Sequence, residues 1–177
     1  MQARVPIEVD SQTGVWTTDG LPMLYVPRHF FINNHLAIEA ALGRPVYAES
    51  LYDAGFRSAY YWCGAEAATH GIRGMAVFEH YLQRLSQRGW GVFSFMEADA
   101  GRGYARIRLD HSCFVLGQGV AGAPHSEEMA CYLFAGWFAG AMDWVAADLG
   151  LQHATRSRET QCAGLGAPYC VFTVEPK

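Results

Sequence analysis

Near its C-terminus the chain runs Arg158-Glu159-Thr160-Gln161-Cys162, then seven residues, then Cys170-Val171-Phe172. The intervening loop holds Gly164, Gly166 and Pro168, which allow a sharp turn back, so that one acid and two thiols can face a single point. Thiolates and a carboxylate suit Zn²⁺, which takes four tetrahedral ligands in structural sites. Two other readings of the same residues stay open: small buried hydrophobes at two strand ends, or a disulfide. Upstream, Cys131 opens a long apolar, glycine-dotted run from Tyr132 to Leu149. The expectation is that Cys131 joins the other three side chains and pins the last helix to the last strands.

A chain of 177 residues, 51% hydrophobic and 17% charged, suffices for one domain with a sizeable core. We expect that domain over residues 13–177, after a loose polar segment at 1–12. Aromatics reach 14%, more than a minimal core needs, which points to an aromatic-lined pocket or an apolar dimer surface. A net charge of −4 without a basic stripe argues against direct nucleic-acid binding. Arg102, Arg106 and Arg108 cluster, but as the solvated face of a strand. Asp143 and Asp148 interrupt the most apolar stretch, so no membrane span is expected. Glu8 and Asp10 stand where a signal peptide would be apolar, and an odd count of five cysteines suits a reducing cytoplasm.

Along the chain, Val15–Thr18 and Leu21–Val26 flank Asp19-Gly20 and read as a hairpin, with Pro22 marking an edge strand. Helices are expected from Phe30 to Leu42, from about Val46 to His70, and from Met75 to about Arg88, with Gly43, Gly71 and Gly89 as stops. The period then changes to two: Val92–Met96 and Ala105–Leu109 alternate about Gly101 and Gly103 as a hairpin. Gly117, Gly119 and Gly122 read as a loop. Ser126 with Glu127 and Glu128 reads as the start of a helix in which Gly136 and Gly140 let another backbone approach. Two closing strands, 152–161 and 170–174, complete an α+β arrangement with a mainly antiparallel sheet.

The pattern Glu159-x₂-Cys162-x₇-Cys170-x-Phe172 resembles the C-terminal signature of the 4-vinyl reductase (V4R) domain family. Cys131-x₄-Gly136-x₃-Gly140 is similar to that family's cysteine-led helix, and Gly89-Trp90-Gly91 to the opening of its hairpin. The likeness runs from about Gly89 to Val174. The family includes the sensor domains of phenol- and xylene-responsive transcription activators, and its fold is shared with Golgi-tethering (TRAPP-type) subunits. The resemblance implies a homodimer of helices packed on a twisted sheet around a small apolar cavity. It also implies a zinc ion held by Cys131, Glu159, Cys162 and Cys170. The phenol sensors carry a tryptophan on the second hairpin strand where this chain has Leu109.

The favoured expectation is therefore a non-catalytic, sensor- or carrier-like domain with a structural zinc. Its cavity is expected to be lined by Phe78, His80, Phe93, Phe95, Ile107, Leu109, Tyr132 and Trp137. The ligand would be small and apolar, aromatic or cationic, in the service of methylated-amine or aromatic catabolism, and a protein partner would carry the signal. A zinc-dependent enzyme or reductase accessory and a purely structural dimerising subunit are the alternatives. No dinucleotide fingerprint supports the enzyme, since Gly101-Arg-Gly103 and Gly117-Gln-Gly119 lack the third glycine. Cys63 and His70 stand seven residues apart on one helix, about 10 Å along its axis, too far for a nucleophile and base. Asp110-His111-Ser112 names triad residue types, but neighbours on a strand point to opposite faces. His153 is an alternative ligand to Glu159.

Overall fold

The computed structural model describes residues 5–120 and 127–177. The chain opens with three short strands, β1 (Glu8–Val9), β2 (Trp16–Thr18) and β3 (Leu21–Met23), paired antiparallel in that order. Asp19 (φ 53°) and Gly20 (φ 76°) supply the two left-handed residues of a tight hairpin turn. Thr17 faces Pro22 on the edge strand. Residues 1–12 were expected to be loose; β1 instead pairs with β2, and the Asp10 carboxylate accepts hydrogen bonds from Gln12 N and Thr13 Oγ1.

Three helices follow, α1 (Arg28–Leu42), α2 (Arg44–His70) and α3 (Met75–Gln87). Gly43 separates the first two, and Gly71 stops α2 in the left-handed conformation. Next come β4 (Val92–Asp99) and β5 (Tyr104–Asp110), where the period of two shows directly: Ala105, Ile107 and Leu109 are buried and Arg106 is exposed. The glycine stretch expected as a loop is in part a helix, α4 (Cys113–Val120). Gly117 belongs there because a Cβ would come within 2.7 Å of Ile32 Cγ1, so α4 lies tight on α1. Gly122 and Ser126 lie outside the described residues.

Helix α5 spans Phe134–Asp148 and so begins later than the start expected at Ser126 to Glu128. Residues 129–133 stay non-helical because their backbone is spent elsewhere: the N–H groups of Ala130 and Cys131 bond to Cys162 Sγ and Glu159 Oε2. Gly136 and Gly140 bring α5 against α2, where a Cβ would overlap the carbonyl oxygens of Tyr52 and Phe56. The chain closes with β6 (Thr155–Gln161) and β7 (Cys170–Pro176). The main sheet has order β4-β5-β7-β6, every pair antiparallel. Helices α5 and α3 touch the sheet, α5 at β6 and β7 and α3 at β4, and α2 packs on α5. Between them Phe78, Phe93, Phe134, Phe138 and Phe172 meet, with Phe138 and Phe172 edge to face at 5.0 Å. Each such burial contributes about 1.5–3 kcal/mol. Among the described residues no helix is long and apolar enough to cross a membrane.

Candidate functional site

The inward face of β6 carries Thr155, Ser157 and Glu159, all buried. A bulge after Glu159 ends the alternation, and Cys162 follows into a 3₁₀ turn, Ala163–Leu165. Gly166 (φ 91°) reverses the chain so that Cys170 opens β7 opposite Leu109. Cys131 arrives from the segment ahead of α5. The ligand atoms of Cys131, Glu159, Cys162 and Cys170 all lie within 4.8 Å of one another. Cys131 Sγ is 3.6 Å from Cys170 Sγ, and no disulfide forms.

Backbone donors surround the sulfurs: Ala130 N donates to Cys162 Sγ at 3.3 Å, Ala163 N to Cys170 Sγ at 3.2 Å, and Cys131 N to Glu159 Oε2 at 2.9 Å. Glu159 Oε1 is buried without a partner. Ser112 Oγ lies 3.0 Å from Cys131 Sγ, a neighbour that a triad reading of Asp110-His111-Ser112 misplaces. Three sulfurs and a carboxylate this close, with an orphaned oxygen among them, form a donor set able to hold a metal ion. His153 does not reach the group. It sits at the opposite end of the sheet, beside the β4–β5 turn, where a Cβ on Gly103 would be 2.8 Å from its ring.

Protonation follows the geometry. Cys162 is pulled well below the usual thiol range by donors from Cys131 and Cys170. Cys131 is pushed up by that same hydrogen bond and by burial. Cys170 accepts from Cys131, which lowers it, but its bond to Cys162 and its burial outweigh this and push it up to about 12. Burial, then the neighbouring Cys162 charge, push Glu159 up to about 9.

The residues expected to line a pocket fall in several places. Phe78, Phe93, Ile107 and Leu109 are buried in the core, and Phe95 packs edge to face on Phe78 at 5.0 Å. Tyr132 donates to Glu39 Oε2 at 2.5 Å and lies under the Arg44 guanidinium. Trp137 fills the space over Gly55, against Trp90. His80 meets Glu66 Oε2 at 2.7 Å and stacks on Trp62. Cys63 is fully buried, its thiol raised by desolvation, and makes no pair with His70.

An apolar cleft of about 380 Å³ opens elsewhere, between the N-terminal hairpin, the start of α1 and the end of α3. Its walls include Trp16, Tyr25, Phe31 and Trp90, with Arg28 and Arg88 as the charged lining groups. None of the eight expected residues lines it. Arg88 Nε and Nη2 are buried without partners, and burial holds the guanidinium below its ordinary pKa. Cys113 closes the floor, its thiol pushed up to about 12 by burial. The sequence signal for this cleft was the aromatic residue on each arm of the Asp19-Gly20 hairpin, which stack at 6.0 Å.

The fold is that of a V4R-like α+β domain. Three solved structures share the fold. A phenol-responsive sensory domain of the transcription activator PoxR, solved with phenol, matches at TM-score 0.79 and 12% identity, over 96% of this chain and 84% of that one. A trafficking protein particle complex subunit 3 from Naegleria fowleri, covalently bound to palmitic acid, matches at 0.55 and 11%, over 85% and 95%. A vinyl-4-reductase family protein from Methanocaldococcus jannaschii matches at 0.54 and 15%, over 88% and 84%. No curated protein matches by sequence. The chain belongs to the family described as domain of unknown function DUF5943, whose model matches residues 1–96.

Proposed function

We propose that residues 13–177, with β1 paired onto them, form one non-catalytic small-molecule-binding domain, sensor- or carrier-like, with a structural zinc held by Cys131, Glu159, Cys162 and Cys170. The observation that carries the reading is the aromatic-walled cleft of about 380 Å³, within the range of small-molecule sites. Four protein donors fill a tetrahedral ion, which suits a staple between α5 and the strands better than a Lewis acid with an open position. The sensory domain with phenol is a precedent for a small aromatic ligand on this fold. An aromatic ligand suits the rings of Trp16, Tyr25, Phe31 and Trp90. A methylated amine meets Arg28 and Arg88 on the same wall, and is accommodated only if it also carries a carboxylate. Homodimerisation through α1 and α2 is supported by exposed Phe30, Leu42, Val46 and Tyr61. A cytoplasmic setting and a separate signalling partner complete the proposal.

The test is binding of phenol and benzoate, followed by tryptophan fluorescence and melting shift. Saturable binding that weakens about ten-fold in Trp90→Ala is expected, the loss of one aromatic contact. Binding unaffected by Trp90→Ala would place the ligand elsewhere, and none at millimolar concentrations of either probe would sink the aromatic reading. Metal content measured alongside, on protein without a histidine tag, should fall by one zinc per chain in Cys162→Ala.

A further inference from the structure

A second convergence of donor atoms lies far from the thiols in sequence, inside residues 1–96. Glu66 and His70 are one turn apart on α2, His80 faces them from α3, and Asp19 reaches in from the hairpin turn. One donor atom each from Glu66, His70 and His80 lies within 4.8 Å of the others. Both imidazoles direct Nε2 at the same oxygen, Glu66 Oε2, at 3.3 Å from His70 and 2.7 Å from His80. His70 Nε2 is also 3.6 Å from Asp19 Oδ1.

Only the 2.7 Å separation is a good hydrogen bond; 3.3 and 3.6 Å are too long for strong ones. The 3.3 Å separation of His70 Nε2 from Glu66 Oε2 matches an edge of a coordination polyhedron: metal–nitrogen and metal–oxygen bonds of roughly 2.0–2.2 Å put neighbouring ligands about 3.0–3.5 Å apart. Glu66 is fully buried, and its second oxygen, Oε1, has no partner. Arg88 offsets part of its charge from nearby, but Oε1 has no hydrogen bond, a costly state for a wholly buried carboxylate unless a bound cation completes it. The surroundings hold the donors in place. Arg84 Nη2 grips Asp19 Oδ2 at 2.8 Å and leaves Oδ1 toward His70, while Trp62 stacks on His80 at 5.6 Å between ring centres.

We infer that Glu66, His70 and His80 form a second metal centre for a divalent first-row transition ion, built from nitrogen and oxygen rather than sulfur. Mixed imidazole–carboxylate donors suit Zn²⁺, Fe²⁺, Mn²⁺ or Co²⁺ and leave positions for water. The ion ties α2 to α3, and Asp19, 3.6 Å from His70 Nε2, sets the hairpin that walls the cleft beside it. The inference stands independently of the thiol site.

The experiment loads full-length, tag-free protein with Co²⁺, removes excess by gel filtration, and reads bound ions per chain with the absorption spectrum. Expected are two ions in the wild type and one each in Cys162→Ala and His70→Asn. The ion left in His70→Asn keeps the intense thiolate-to-cobalt charge-transfer band, which also reports that this variant is folded. The ion left in Cys162→Ala shows weak ligand-field bands alone. One ion in the wild type, retained in His70→Asn with its thiolate band, overturns the second centre. One ion that lacks the thiolate band and is lost in His70→Asn supports it while removing the thiol site. Should His70→Asn lose both ions, His80→Asn decides: a cobalt affinity at the nitrogen–oxygen site reduced several-fold supports the assignment, and an unchanged one overturns it.

Discussion

The two donor clusters are built in opposite ways. At the thiol cluster three of the four side chains come from twelve consecutive residues, Glu159 to Cys170, folded by one bulge and one 3₁₀ turn. Backbone N–H groups hold its sulfurs, so its geometry is set by the main chain. The Glu66 cluster is gathered from two helices beside the hairpin turn, and its partners are side chains. A site fixed by backbone is local and stiff; one fixed by side chains depends on how separate elements dock. The same contrast holds for the bodies around them, an α2–α5–sheet core against a small hairpin that leaves Leu24 and Tyr25 exposed.

Replacing Gly136 by Val should test the stiff side most severely. Any Cβ there overlaps the Tyr52 carbonyl, backbone against backbone, so relief requires α2 and α5 to separate. A loss of about 3 kcal/mol or more is expected, at the upper end of overpacking effects, read as a fall in the midpoint of urea unfolding. A variant as stable as wild type would mean that the two helices are not held at this spacing.

Proton competition sharpens the comparison next. In the metal-free thiol cluster the raised groups, Cys131, Cys170 at about 12 and Glu159 at about 9, carry protons at neutral pH. An ion must displace them, so zinc affinity should rise with pH, about ten-fold per unit for each proton released. Chelator competition between about pH 6 and about pH 8 measures the slope. A flat profile would show that the cluster is already deprotonated and that the hydrogen bonds among its thiols do not form.

How much of this was legible follows from the same distinction. The Glu159–Cys170 pattern was readable because short spacing and turn residues leave few ways to arrange it. The helices α1 to α3 were readable because their glycine stops act locally. The start of α5 was not, since nothing in Met129–Leu133 announces that its N–H groups will serve sulfur and carboxylate rather than a helix. The expected pocket residues share an apolar character that suits a core equally well; Phe78, Phe93, Ile107 and Leu109 are buried there with Phe138 and Phe172. The cleft was hidden because its walls come from residues 5–31, 87–90 and Cys113, and only docking of the hairpin brings them together.

The smallest effect should come from Gly20→Ala, and it isolates the hairpin from the body. Nothing lies within 4 Å of a Cβ at Gly20, so the methyl group meets no obstacle. What remains is backbone strain: at φ +76° a non-glycine residue costs about 1–2 kcal/mol. Because the hairpin contributes little to the main core, that cost should appear as local opening, not as a lower global midpoint. Hydrogen exchange at Trp16–Met23 should accelerate roughly ten-fold, the kinetic equivalent of about 1.4 kcal/mol, while exchange in α5 stays unchanged. If α5 accelerates equally, the hairpin and the core unfold as one cooperative unit. Asp19, seated beside Gly20 and paired with Arg84, would then be fastening the whole molecule rather than a lid over the cleft.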